Sequence, residues 1–185
     1  DKPEVVARIL QAHGRGRTII FARTKRSAAE LAEDLAQRGF TVAAVHGDLG
    51  QRAREAALDA FRRSSADILV ATDVAARGID VEDVTHVINF QTPDDPMTYV
   101  HRIGRTGRAG KKGTAVTLVG YDEVRKWQAI NDELSLDARE LPEWFSTSPE
   151  LHEALDIPDS ATARVGSPRK VLGARPARAS GRNRR

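Results

Sequence analysis

Residues 17–45 read RTIIFARTKRSAAELAEDLAQRGFTVAAV, and this stretch decides the fold. It opens on a short run, 17–22 (RTIIFA), that is nearly continuous in apolar character. Such a run is expected of a strand covered on both faces, as in a parallel sheet. Ala28, Leu31, Ala32 and Leu35 then recur on one face of a helix predicted over 24–38, with Gly39 at its expected stop. Ser27 with Glu30 has the spacing of a capping box, and Thr24 is an equally good cap. A second apolar run, 41–45 (TVAAV), completes strand, helix, strand.

The pattern continues on the C-terminal side. Further strands are predicted over 67–72 (DILVAT), 85–90 (THVINF) and 114–119 (TAVTLV). Between them, 51–63 places Ala57, Leu58 and Phe61 on one helical face, and Asp94, Asp95 and Pro96 offer a cap and first-turn proline for a helix through Tyr99 and His101. Short strands alternating with helices imply right-handed crossovers and an α/β fold, a doubly wound parallel sheet with helices on both faces. A last helix is expected over 121–134, from Val124, Trp127, Ile130 and Leu134. Tyr99, Tyr121, Trp127 and Trp144 sit in apolar patterns and are expected in the core. Residues 135–160, with Pro142, Pro149 and Pro158, are expected as an irregular extension packed on the body.

The 185 residues suffice for one ordinary domain, and they include no cysteine. Disulfides, cysteine-held zinc, iron–sulfur clusters and thiol nucleophiles are thereby excluded, and a reducing cytoplasmic setting is expected. No run approaches the roughly 18 apolar residues of a membrane span, and the first residues do not read as a signal peptide. The net charge of +3 conceals an asymmetry: 161–185 hold seven Arg and one Lys with no acid, leaving the body at −5. With few large apolar residues, 161–185 are expected to be a disordered basic tail, dispensable for the fold and able to add RNA affinity at low salt.

In an open parallel sheet, ligands gather where the carboxyl ends of strands feed into loops. The loops after the first four strands carry Arg23-Thr24-Lys25, His46-Gly47-Asp48, the segment 73–80 (DVAARGID), and the approach to 99–110 (YVHRIGRTGRAG). The last of these brings His101, Arg102, Arg105 and Arg108 together with Gly104, Gly107 and Gly110. Helical spacing would align His101 with Arg105 and continue to Arg108 at the sheet's carboxyl edge, while the glycines would admit a ligand close to the backbone. Guanidinium groups fork onto phosphate oxygens and keep their charge when partly buried, so the segment reads as a polyphosphate clamp.

Residues 101–108 (HRIGRTGR) resemble motif VI of the DEAD-box RNA helicases. Residues 71–80 (ATDVAARGID) resemble motif V, and 18–24 (TIIFART) motif IV. Gln51 and Arg54 fit the Gln-x-x-Arg element that comes after His46-Gly47-Asp48. Order and spacing match the second, RecA-like domain of that family over roughly residues 17–120. The resemblance implies a helicase C-terminal RecA-like domain over 1–134, with the extension and tail beyond it.

It also implies roles. Arg105 and Arg108 would reach ATP held on a partner domain, Arg108 as the arginine finger, while Gly78 and Asp80 approach the ribose. Thr24, Gly47, Gln51, Arg54 and Thr72 would contact the RNA sugar–phosphate backbone without reading sequence. His101 would couple the nucleotide to the interdomain contact, and its identity disfavours a related DNA helicase, since other helicase groups usually carry Gln there. Arg23 and Lys25 are open between RNA contact and exposed first-turn residues, and Arg77 between a ligand and an acid of its own loop. Gln91 stands where the family often has Asp, which bears on local interdomain contacts.

No GxxxxGK followed by Ser or Thr occurs, and no Asp-Glu-Ala-Asp string. The phosphate cradle and Mg2+ ligands would therefore lie on an N-terminal lobe, this chain being expected as an excised half that does not hydrolyse ATP alone. Histidines 13, 46, 86, 101 and 152 show no metal spacing, and no metal site is expected. The rival expectation is a stand-alone RNA-binding or docking module on the same fold.

Overall fold

The computed structural model describes residues 1–47 and 49–173. Each of the five apolar runs forms a strand: β1 (Arg17–Phe21), β2 (Val42–Val45), β3 (Ile68–Ala71), β4 (Val84–Asn89) and β5 (Thr114–Thr117). All neighbours are parallel, in the order β2-β3-β1-β4-β5. In register, Ile20 lies between Val70 and Ile88, and Ile19 between Leu69 and Val87. Because successive side chains point to opposite faces, these two rows seed two cores. Ile20, Val70, Ile68, Ile88 and Val42 share one with Val6, Ile9, Leu31 and Leu35. Ile19, Phe21, Leu69, Val45 and Val87 share the other with Leu58, Phe61, Ile79 and Val81.

The first face is covered by α1 (Lys2–Ile9) and α2 (Lys25–Gln37), the second by α3 (Gln51–Arg62). Thr24 caps α2: its side chain accepts from the Ser27 amide while the Ser27 hydroxyl accepts from the Thr24 amide, which settles the two cap candidates. Asp95 caps α4 (Pro96–Ile103) by accepting from the Thr98 amide. A 3-10 turn over Tyr121–Glu123 leads into α5 (Val124–Leu134). Among the described residues, no helix is long and apolar enough to cross a membrane.

Several expectations change. α1 was not foreseen, although Val6, Ile9 and Leu10 follow helical spacing and are buried. The segment 135–160 is not wholly irregular, since α6 (Pro149–Leu155) buries Leu151 in the first core. Trp127 is buried and packs edge-on against Tyr99, but Tyr121 and Trp144 are 82% and 39% exposed, so neither serves the core as expected.

The largest change concerns 161–173, expected as part of a disordered tail. These residues form a strap along the β2 edge of the sheet. The amide of Leu172 donates to the Val42 carbonyl and the Leu172 carbonyl accepts from the Ala44 amide, a single parallel bridge at the sheet's edge. Val171 packs on the first core and Leu172 on the second. Upstream, the strap closes the C-terminus of α2. The Ala36 carbonyl accepts from the Arg169 amide, the Gln37 carbonyl from Arg164 Nη1, and the Arg38 carbonyl from the Val165 amide. Gly39, at φ 97°, lies so close to Gly166 that a Cβ would fall 2.5 Å from its nitrogen. A helix end leaves carbonyls unpaired and favours cations, and an edge strand leaves amides and carbonyls open. The strap therefore gains order from backbone groups of other elements as well as from its own Val171 and Leu172. Residues 174–185, the rest of the predicted tail, lie outside the described residues.

Candidate functional site

Gly47, Thr72 and Thr24 come after β2, β3 and β1, three adjacent strands, so they form a row about 10 Å long at the carboxyl edge. Gly47 and Thr24 are exposed and Thr72 nearly buried. Gln51 and Arg54 stand on the first turn of α3 beside that row. Gln51 donates to Glu55 (3.0 Å), and Arg54 Nη2 donates to the carbonyls of Ala75 (3.0 Å) and Arg77 (3.2 Å). The five RNA contacts predicted from sequence thus share one edge. Asp48, next to Gly47, lies outside the described residues.

The nucleotide residues stand elsewhere. The chain between β3 and β4 runs down the whole height of the sheet as an irregular crossover, pinned to the second core by Ala76, Ile79 and Val81. Three arginines grip it in turn. Arg102, 2% exposed, holds Asp73 through Nε (2.7 Å) and Nη2 (2.6 Å), donates to Asn89 Oδ1 and the Gln91 carbonyl, and lies over the Phe21 ring. Arg54 holds Ala75 and Arg77. Arg105 Nη1 donates to the Ile79 carbonyl (3.2 Å). One covalent segment therefore joins Thr72 at the carboxyl edge to Asp80 near the start of β4.

Two expectations about the arginine segment are corrected. α4 ends at Ile103 with Gly104 as its cap, so Arg105 and Arg108 do not continue a helical face. They also do not sit at the carboxyl edge. Because α4 runs back across the sheet, Thr106 Oγ1 donates to the Val84 carbonyl and Lys111 pairs with Asp83, both at the start of β4. Gly107, at φ 67°, takes the left-handed turn at that point. The Lys111 ammonium holds the Asp83 carboxyl below its usual range.

Arg105 and Arg108 line a cavity of about 320 Å³ with Lys111 and Lys112 and the acids Asp80, Glu82 and Asp83. Neither arginine pairs with an acid among the described residues, and the Arg108 guanidinium is exposed, without a hydrogen-bond partner among them. Gly78 and Asp80 are exposed, as is His101 on α4. Arg77 forms no ion pair among the described residues; its carbonyl, not its side chain, is engaged.

Glu123 was missed by sequence reasoning. It is 5% exposed and accepts from Lys2 Nζ (3.1 Å), Arg23 Nη2 (2.7 Å) and the amides of Thr92 (3.1 Å) and Gly120 (3.1 Å). Burial pushes its carboxyl up, but the two amides and the Lys2 ammonium outweigh this and hold it below the usual glutamate range. Arg23 thus serves the fold, with Asp94 a second partner at 3.8 Å. Gln91 Oε1 accepts from the Arg23 amide and from Ser27, a local task for the position where the family often has Asp. Helical or strand periodicity carries no signal for such a node; the only hint was an acid next to an apolar helix start.

Comparison with known proteins bears on this geometry. The family described as helicase conserved C-terminal domain matches residues 1–110. The DEAD-box ATP-dependent RNA helicase RhpA of Helicobacter pylori (strain B128) is 46% identical over 140 residues, 74% of this chain and 28% of the relative. The chain thus spans less than a third of that relative's length. The E. coli DEAD-box protein SrmB, solved bound to regulator of ribonuclease activity A, has a TM-score of 0.68 at 39% identity, covering 71% of this chain and 78% of that one. S. cerevisiae Dbp5 bound to RNA and ADP BeF3 has a TM-score of 0.66 at 37% identity, covering 71% and 36%.

Proposed function

The chain belongs to the helicase conserved C-terminal domain family, among the DEAD-box RNA helicases, and from that premise we propose that it is the second motor lobe of an ATP-dependent RNA helicase. ATP and its Mg2+ would be held by an N-terminal lobe that supplies the phosphate cradle, so this lobe alone would not turn ATP over. Arg108 is the arginine finger of this reading, with Arg105 beside it and with Gly78 and Asp80 toward the ribose. Charge that spreads over the transferring phosphoryl oxygens is stabilised by a planar, permanently charged fork, worth about 10³–10⁵ in rate in related chemistry.

RNA would lie along the carboxyl edge, its sugar–phosphate backbone against Thr24, Gly47, Gln51, Arg54 and Thr72. Recognition by hydroxyl, amide and guanidinium groups is independent of base sequence. His101, exposed on α4, would meet the other lobe when the two close. The crossover from Thr72 to Asp80 gives the two ligands a common mechanical element, so each would favour binding of the other. The product would be strained RNA that releases its paired strand. The absence of cysteine favours a cytoplasmic setting.

One observation carries this reading: an exposed arginine with no side-chain partner among the described residues, lining a cavity of mixed charge with Arg105. In the complete enzyme, Arg108→Ala should largely abolish RNA-stimulated hydrolysis while fluorescent-nucleotide binding persists. Near-normal turnover would overturn the assignment.

A further inference from the structure

The carboxyl edge does not stop at the row of Gly47, Thr72 and Thr24. Beyond β1 the sheet continues through β4 to β5, two strand spacings or about 10 Å further along the same edge. The chain leaving β5 passes Gly120 and reaches Tyr121, which is 82% exposed. Its hydroxyl donates to the Glu143 carboxylate, a bond that brings the exposed rings of Trp144 and Phe145 to the same end of the sheet. A second tie agrees: the Ser146 amide donates to Asp1, and the neighbouring Lys2 donates to the Phe90 carbonyl just past β4. Single exposed apolar side chains are ordinary on a surface, but a group of aromatic ones gathered at one end of a sheet marks a contact site.

The ground beneath them is rigid. Glu123 closes the Gly120 turn by accepting from its amide, and it also holds Arg23 and Thr92. Gln91 joins the Arg23 amide to Ser27, the partner of Thr24 in the α2 cap. An unbroken chain of hydrogen bonds therefore runs from Thr24 in the row, through Arg23, to the turn that presents Tyr121. With its hydroxyl fixed on Glu143, the Tyr121 ring has little freedom left to lose when it meets a ligand.

Charge decides what that ligand is. Asp122 and Glu143 flank the ring. Arg23 is engaged by Glu123 and Asp94, Lys126 by Asp94 and Lys2 by Glu123, so phosphate is held less well here than along the row. A nucleobase needs no cation, because every base has a π face that can stack on an aromatic ring.

We propose that Tyr121, with Trp144 and Phe145 beside it, is a base-stacking platform for the RNA strand where it runs past Thr24 along the carboxyl edge. The strand then turns bases rather than phosphates toward the β5 end. The proposal rests on the RNA-lobe reading above and adds a contact with the bases themselves, one that leaves recognition indifferent to base identity.

The test uses the 185-residue chain and fluorescein-labelled oligo(U), with anisotropy read between about 50 and 200 mM salt. Tyr121→Leu keeps an apolar side chain and removes the ring face; it should weaken binding about 5- to 30-fold. The loss should be the same at every salt concentration, because no phosphate contact is given up. Tyr121→Phe keeps the ring without the bond to Glu143 and should bind as wild type does. An abasic strand in place of oligo(U) should bind wild type and Tyr121→Leu equally. The side chain is so exposed that the fold is not at issue, and an unchanged urea midpoint checks this.

Wild-type affinity in Tyr121→Leu would overturn the platform and leave the aromatic surface to a protein partner. A loss that fades with salt, or that persists on the abasic strand, would overturn stacking as its cause. Absence of oligo(U) binding by the wild-type chain would instead overturn the RNA-lobe reading on which the platform depends.

Discussion

Arg102 and Arg108 show how two arginines six residues apart are put to opposite uses. Arg102 is buried, forked onto Asp73, bonded to Asn89 and Gln91 and stacked on Phe21, so every part of its head group is engaged. The Arg108 guanidinium is exposed and bonded to nothing among the described residues. The guanidinium's planarity matters in both, but in Arg102 it is used up by the fold. Arg102→Lys keeps the charge and cannot reproduce four directed bonds, leaving Asp73 and Asn89 short of donors. The expected cost is about 2–4 kcal/mol, seen as a drop of roughly 5–10 °C in the thermal midpoint. An unchanged midpoint would mean that the crossover is held by its apolar residues alone. The sequence could not separate the two arginines: both sit in one glycine-punctuated run, and burial depends on where α4 ends.

At the scale of elements, the strands were legible because burial on both faces demands an unbroken apolar run, and all five fall within two residues of their predicted limits. α4 was read too far because helical spacing from His101 to Arg108 persists formally across Gly104, whereas the backbone turns there. Glu123 was illegible, since it joins elements remote in sequence: α1 through Lys2, the β1–α2 turn through Arg23, the β4–α4 loop through Thr92, and the Gly120 turn. That junction has a pH signature. Its folded carboxyl is held below the unfolded range, so its contribution is complete above the unfolded value near 4.5 and is lost as pH falls through the lower folded value. Glu123→Gln should therefore cost about 2–3 kcal/mol in urea unfolding at pH 7, and the gap to wild type should close toward pH 3. A gap that stays constant with pH would show that packing, not charge, sets the loss.

At the scale of the whole molecule, the composition of 161–185 pointed to a single disordered tail, yet the strap through Gly173 is ordered on the body. Composition measures whether a segment can bury enough apolar surface to offset its ordering entropy. It takes no account of unpaired backbone groups offered by the rest of the fold, and here α2 and β2 offer a row of them. A chain ending at 173 keeps those bonds along with Val171 and Leu172 in the two cores; a chain ending at 160 loses both. Loss of those bonds and of the Val171 and Leu172 contacts should destabilise the shorter chain. The 173-residue chain should unfold in urea at the wild-type midpoint. The shorter one should unfold earlier and, with β2 now an open edge, self-associate in sedimentation at high concentration. If both truncations unfold together with the wild type, the strap is a passenger on the sheet and does not protect the edge.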